Sequence, residues 1–239
     1  MIIEMKDIYK SFGKNDVLKG VDFNLGQGEI HALVGENGAG KSTLMNILSG
    51  VLNKDSGKIL IDGKEVDIID TNVAKEYGIS FIHQELSDWP ELSVMDNIFM
   101  NNELGKGLFL DKKTMREKCV DLLDRFDLNI NPDTKVSNLS VGQRQMMEIA
   151  KANLNKVKVL ILDEPTSALT NNEIEKLFQL INKLRDEDVS MIYISHRMEE
   201  IFALTDKITV MRDGKSVAVM NTSETSEKEV VSHMVGRDI

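Results

Sequence analysis

The chain has 239 residues, 41% hydrophobic and 28% charged, with a formal net charge of −10. That length suits one large domain, and the acidic balance opposes non-specific nucleic-acid binding, which needs a basic surface. The charged start Met1-Ile2-Ile3-Glu4-Met5-Lys6-Asp7 resembles no signal peptide, and no apolar run approaches the eighteen or so residues of a membrane-spanning helix. Any link to a membrane is therefore expected to go through a partner. The single cysteine, Cys119, excludes an internal disulfide. In its polar helical stretch it reads as buried filler.

In chain order, residues 2–9 and 17–25 read as strands around the turn Gly13-Lys14-Asn15-Asp16. Glu29 to Val34 reads as a buried strand and Leu44 to Ser49 as a helix. Between them lies Gly35-Glu36-Asn37-Gly38-Ala39-Gly40-Lys41-Ser42-Thr43, a match to G-x-x-x-x-G-K-[ST] in the strand–loop–helix setting that motif requires. Its glycines let backbone N–H groups turn inward around a polyphosphate, and the new helix aims its positive dipole end at the same anion. The ligands implied are a nucleotide polyphosphate and Mg²⁺, with Lys41 on the β- and γ-phosphates and Ser42 on the metal.

Lys54-Asp55-Ser56-Gly57 is a turn, Lys58 to Asp62 a short strand, and Gly78 to Ile82 a buried strand. From about residue 92 to 153 the pattern is helical. Within it, Lys112 to Phe126 sets Met115, Cys119, Leu122, Leu123 and Phe126 at helical spacing. The apolar strand Val157 to Leu162 closes on Asp163 and Glu164. Asp163 would reach Mg²⁺ through water, and Glu164 is the natural general base for an attacking water. Helix (Asn172 to Arg185), strand (Val189 to Ile194), helix (Met198 to Leu204) and strand (Lys207 to Met211) follow. Strands alternating with helices predict an α/β fold with a parallel sheet, interrupted by an inserted helical subdomain.

Leu139-Ser140-Val141-Gly142-Gln143, opening a helix ahead of that carboxylate-tipped strand, resembles the signature sequence of ABC-type ATPases. Ser140 read alone is a helix N-cap. The resemblance covers essentially the whole chain. It implies a P-loop NTPase (RecA-like) parallel-sheet core with an N-terminal antiparallel β subdomain and an inserted helical subdomain. As a domain it would span 1–239, with core 1–84 and 156–239 and helical subdomain about 85–155. It also implies head-to-tail pairing with a second ABC ATPase domain, in which Ser140 and Gly142 of one close on the γ-phosphate held by the P-loop of the other, with Gln143 beside them at the nucleotide. By the same resemblance Gln84 senses metal and water, His196 contacts the γ-phosphate, and Phe12, with Tyr9 as its rival, stacks on adenine. Thr170 departs from the family's usual Asp in Ser167-Ala168-Leu169-Thr170, which puts communication between paired sites in doubt.

Ala168-Leu169-Thr170, His31 to Asn37 and Met147 to Lys151 resemble the ATPases of ribose-, galactose- and xylose-type sugar importers, with nucleoside importers close by. This implies an ATPase coupled to solute import at the cytoplasmic face of the membrane. Its partners would be transmembrane permease subunits, faced by the loop Glu85 to Leu92 with its lone Trp89, and indirectly a sugar-binding protein. The alternative is a soluble ABC ATPase acting on nucleic acid or the ribosome. It is opposed by the acidic charge and by the lack of sustained heptads between Gln84 and Leu139. Subfamily members usually carry two such domains in one polypeptide, so Ser232 to Ile239 reads as the junction to a second one.

Overall fold

In this computed structural model the described residues are 2–106, 109–155 and 157–236. The expected junction therefore lies partly outside them, at Arg237, Asp238 and Ile239. The chain opens with β1 (Ile3–Phe12), β2 (Asn15–Leu25), β3 (Ile30–Val34), α1 (Lys41–Leu48), β4 (Ser56–Ile61), β5 (Lys64–Val66), α2 (Thr71–Glu76) and β6 (Ile79–Ile82). It continues through α3 (Val94–Phe99), the two-residue strands β7 (Gly105–Lys106) and β8 (Phe109–Leu110), α4 (Lys112–Arg125) and α5 (Val141–Ala152). The last stretch holds β9 (Val159–Asp163), α6 (Asn171–Asp186), β10 (Ser190–Ile194), α7 (Met198–Leu204), β11 (Lys207–Arg212), β12 (Lys215–Asn221) and α8 (Glu227–Val235).

These elements fall into two units. The first holds residues up to Phe81 together with Val157–Glu164 and the chain from Arg185 onward. Here β2-β1-β4-β5 form an antiparallel sheet, and a six-stranded sheet runs β12-β11-β3-β10-β9-β6. Strands β11, β3, β10 and β9 are mutually parallel, and β12 returns antiparallel at the edge. Every residue of β3 and β10 is buried, as a parallel sheet covered on both faces requires. The period of two sorts them. Leu33, Ile192 and Ile194 join the core shared with β1, β2 and α1, whereas Ala32 and Val34 face the other way onto Met198, Ile201 and Val230.

The second unit holds Ile82–Lys156 and Pro165–Leu184. The sequence pattern leaves the latter segment with the parallel core. Here it groups with α5, because Lys176, Gln179 and Leu180 of α6 line one groove with Gln143 and Met146 of α5 and with Phe126 to Ile130. α4 runs over the stretch its apolar spacing predicts, burying Met115, Cys119, Leu122 and Leu123. Burial, seconded by the Asp133 carboxylate and opposed by the Arg116 cation, pushes the Cys119 thiol up to about 12.

The loop between Gln84 and α3 lies outside the sheets, and a buried side chain helps to hold it. Asn97, fully buried on α3, accepts from the Trp89 amide (2.7 Å) and donates to the Trp89 and Ser93 carbonyls (3.0 Å each). Asn97→Ala is expected to destabilise the protein by about 1–3 kcal/mol, because backbone groups beside a buried site lose their partner. A shift of the urea midpoint measures it, and an unchanged midpoint would mean that water replaces the amide.

Candidate functional site

The loop Gly35–Thr43 leaves the C-terminal end of β3 and runs into α1. Glu36, Asn37, Gly38 and Ser42 are exposed, while Ala39 and Gly40 pack inward. Two glycines make that path possible. At Gly35 a Cβ would run into the Met211 carbonyl oxygen, and Gly40, the N-cap of α1, stands at φ 102 against Leu18. No side chain caps this helix, which leaves its first N–H groups to an external acceptor or water. The Lys41 ammonium folds over the loop, donating to the carbonyls of Gly35 (2.7 Å) and Glu36 (3.1 Å). Burial lowers its pKa, and the nearby carboxylates of Asp163 and Glu164 act in the opposite direction.

Adjacent strands bring the other groups to the same edge of the sheet. β9 ends at Asp163, in register with Ile194 at the end of β10. Glu164 follows with its backbone in the left-handed region (φ 46) and its N–H bonded to the Ile194 carbonyl at 2.9 Å. A non-glycine residue held there carries local strain, of the kind that gathers at functional sites. Its carboxylate lies 3.1 Å from Nδ1 of His196, which is 69% exposed against 24% for Glu164. His196 is braced on both sides. The Ser195 hydroxyl donates to Glu200 (3.0 Å), and Arg197 pairs with the same carboxylate (2.8 Å).

The structure thus gathers the Gly35–Thr43 loop, Asp163, Glu164 and His196 past the carboxyl ends of β3, β9 and β10. That is where an open α/β sheet binds ligands. Backbone donors, a lysine and a helix start suit a polyphosphate, and a carboxylate beside a histidine suits proton removal from water. Phe12 lies in the same unit at the end of β1, 48% exposed, with the Lys10 ammonium 5.5 Å from its ring centre. Tyr9 is equally exposed but packs its ring over Gly20 of β2, which leaves Phe12 the freer face.

Gln84, Ser140, Gly142 and Gln143 belong to the second unit. Gln84 is exposed beyond β6 and shares a groove with Glu85, Leu86, Val141, Arg144 and Pro165. Ser140 caps α5 in a reciprocal box. Its hydroxyl accepts from the Gln143 amide (3.2 Å), and the Gln143 side chain accepts from the Ser140 amide (3.0 Å).

Sequence reasoning missed two groups here. Arg144 makes a two-pronged ion pair with Asp88, both bonds 2.6 Å, and the Asp88 side chain is 1% exposed. Nothing in the sequence links positions that far apart. Glu173 bonds Thr170 and Ser140. The signal for the Thr170 half was legible as Thr-x-x-Glu before a helix, the capping-box pattern.

Strand–loop–helix, carboxylate-tipped neighbour strand and alternating topology together define a P-loop NTPase fold with a RecA-like parallel core. A family model described as ABC transporter matches residues 18–167. A "Ribose import ATP-binding protein RbsA" of Bacillus licheniformis is 54% identical over 240 aligned residues, covering 100% of this chain and 49% of that protein. The structure superposes with a TM-score of 0.86 on the ADP conformation of MJ1267, an ATP-binding cassette of an ABC transporter. That pair is 25% identical, and the match covers 99% of each chain. It also matches the dimeric post-hydrolysis state of the cassette MJ0796 bound to ADP and Pi, with TM-score 0.78, 25% identity, and 92% of this chain and 98% of that one covered. The chain belongs to the ABC transporter family. It spans about half the length of the curated relatives it matches.

Proposed function

We propose that this chain binds and hydrolyses ATP as a motor domain of an importer for a monosaccharide of the ribose class. The observation that carries the chemistry is the grouping of Lys41, Glu164 and His196 past three adjacent strands of one sheet. The ribose import relatives support the cargo class. As one nucleotide-binding domain, 1–239 would combine a core (1–84 and 156–239) with a helical part (about 85–155). Gly35 to Thr43 would hold the phosphates and Phe12 would stack on the base. Glu164 would take the proton of the attacking water, with His196 orienting it. Mg²⁺ is held in such sites by one or two protein oxygens plus phosphates and neutralises developing charge. Ser42 and Asp163 are the oxygens this chain offers, with Gln84 as a further contact.

Partner ATPase domain, permease subunits and sugar-binding protein complete the reading. Attachment at the cytoplasmic face would be peripheral, since no helix among the described residues is long and apolar enough to cross a membrane. The exposed Trp89 and Leu92 offer the permease an anchor, because aromatic side chains are enriched at interface hot spots. Nucleic acid is not expected among the partners.

Ser140, Gly142 and Gln143 would act on the nucleotide of a second domain. Hydrolysis should therefore rise more than linearly with protein concentration. Specific activity that stays constant across a wide dilution series would overturn the shared site, and no hydrolysis of Mg-ATP at any concentration would overturn the ATPase reading.

A further inference from the structure

The signature turn carries an anion of its own. The Ser140 hydroxyl donates to Oε1 of Glu173 at 2.8 Å, and a Cβ added at Gly142 would run into that same carboxylate. The other oxygen, Oε2, accepts from the Thr170 amide (3.0 Å) and the Thr170 hydroxyl (2.8 Å). One carboxylate thus spans the start of α6 and the start of α5, resting against both residues assigned to the γ-phosphate. Thr170 is what lets it sit there. The Asp common at this position in the family would set a second negative charge beside Glu173, where Thr170 supplies a donor.

We propose that Glu173 is a resident anion on the signature turn, which the incoming γ-phosphate of the paired domain must displace before the composite site closes. This rests on the shared-site reading above. Two anions cannot share one hydroxyl donor and one helix start at hydrogen-bond distance, so closure and the Ser140–Glu173 bond exclude each other. Glu173 then sets how much ATP is needed for closure without touching the P-loop's own affinity. Its contacts to Thr170 survive displacement, because they use the opposite carboxylate oxygen.

Glu173→Gln tests this. Gln keeps the capping-box geometry with Thr170 and removes the charge. In this chain, at a fixed protein concentration high enough for pairing, the ATP concentration for half-maximal hydrolysis should fall by roughly three- to fivefold, about the worth of one exposed charged contact. Binding of a fluorescent ATP analogue at high dilution, where the domains are unpaired, should not change. A second variant, Glu173→Asp, keeps the charge on a side chain too short to bridge to Ser140 and should shift half-saturation the same way. A purely structural cap would instead give unchanged or higher half-saturation together with a lower Tm. An unchanged or raised half-saturation in the soluble variants overturns the proposal while leaving the ATPase reading intact. Loss of concentration dependence in the unsubstituted protein overturns both.

Discussion

Glu164→Gln should hydrolyse ATP about 10²–10⁴-fold more slowly than the unsubstituted chain, the usual span for loss of a general base, while binding nucleotide as well as before. The amide is nearly the same size and keeps an oxygen that can face Nδ1 of His196, 3.1 Å away in the native arrangement. It cannot take a proton from water. Nor does the change touch the backbone, because Glu164 owes its place to its left-handed φ of 46° and to the bond from its N–H to Ile194. With ATP consumed slowly, the nucleotide-bound state should persist, and a dimer should appear in size-exclusion chromatography with Mg-ATP. Near-normal turnover at saturating Mg-ATP would remove Glu164 from the base role and leave His196 as the group to test.

Lys41→Ala should fail earlier, at binding. Charge-assisted contacts contribute more than neutral ones, and deleting this ammonium should weaken nucleotide affinity by about ten- to a hundredfold. The native side chain also straps the loop by donating to the Gly35 and Glu36 carbonyls, so the variant loses both the cation and the fastening. Titration with a fluorescent ATP analogue reads the effect. Lys41 stands at the first position of α1 and is only partly buried, so Tm should hold. Unchanged affinity would mean that the phosphates bind elsewhere.

Much of this was legible in the sequence because the chemistry lies in contiguous words. Gly35 to Thr43 carries its own strand and helix on either side, and the apolar run ending at Asp163 announces a buried strand whatever surrounds it. Cys119, Leu122 and Leu123 lie on one helical face and are buried as that face predicts. Shorter elements escaped notice. α2 is held by the Asp70 side chain accepting from two backbone amides and buries only Ala74, too little for a periodic signal. β12 and α8 are half-exposed elements whose patterns compete with that of a loop. The Asp88–Arg144 pair and the bridge from Glu173 to Ser140 join segments 56 and 33 positions apart. No local pattern encodes such contacts. They depend on where the helices of the second unit finally pack.

The buried thiol of α4 has a practical use. With Cys119 fully covered and burial pushing its pKa up to about 12, the thiolate, which is the form that reacts, is scarce at neutral pH. It is also the chain's one cysteine. A maleimide dye should therefore ignore the unsubstituted domain, and a cysteine introduced on the surface, for example at Lys14 in the turn between β1 and β2, would take up a single label. Fluorescence measurements of pairing between domains can then be made without removing a native side chain from the core.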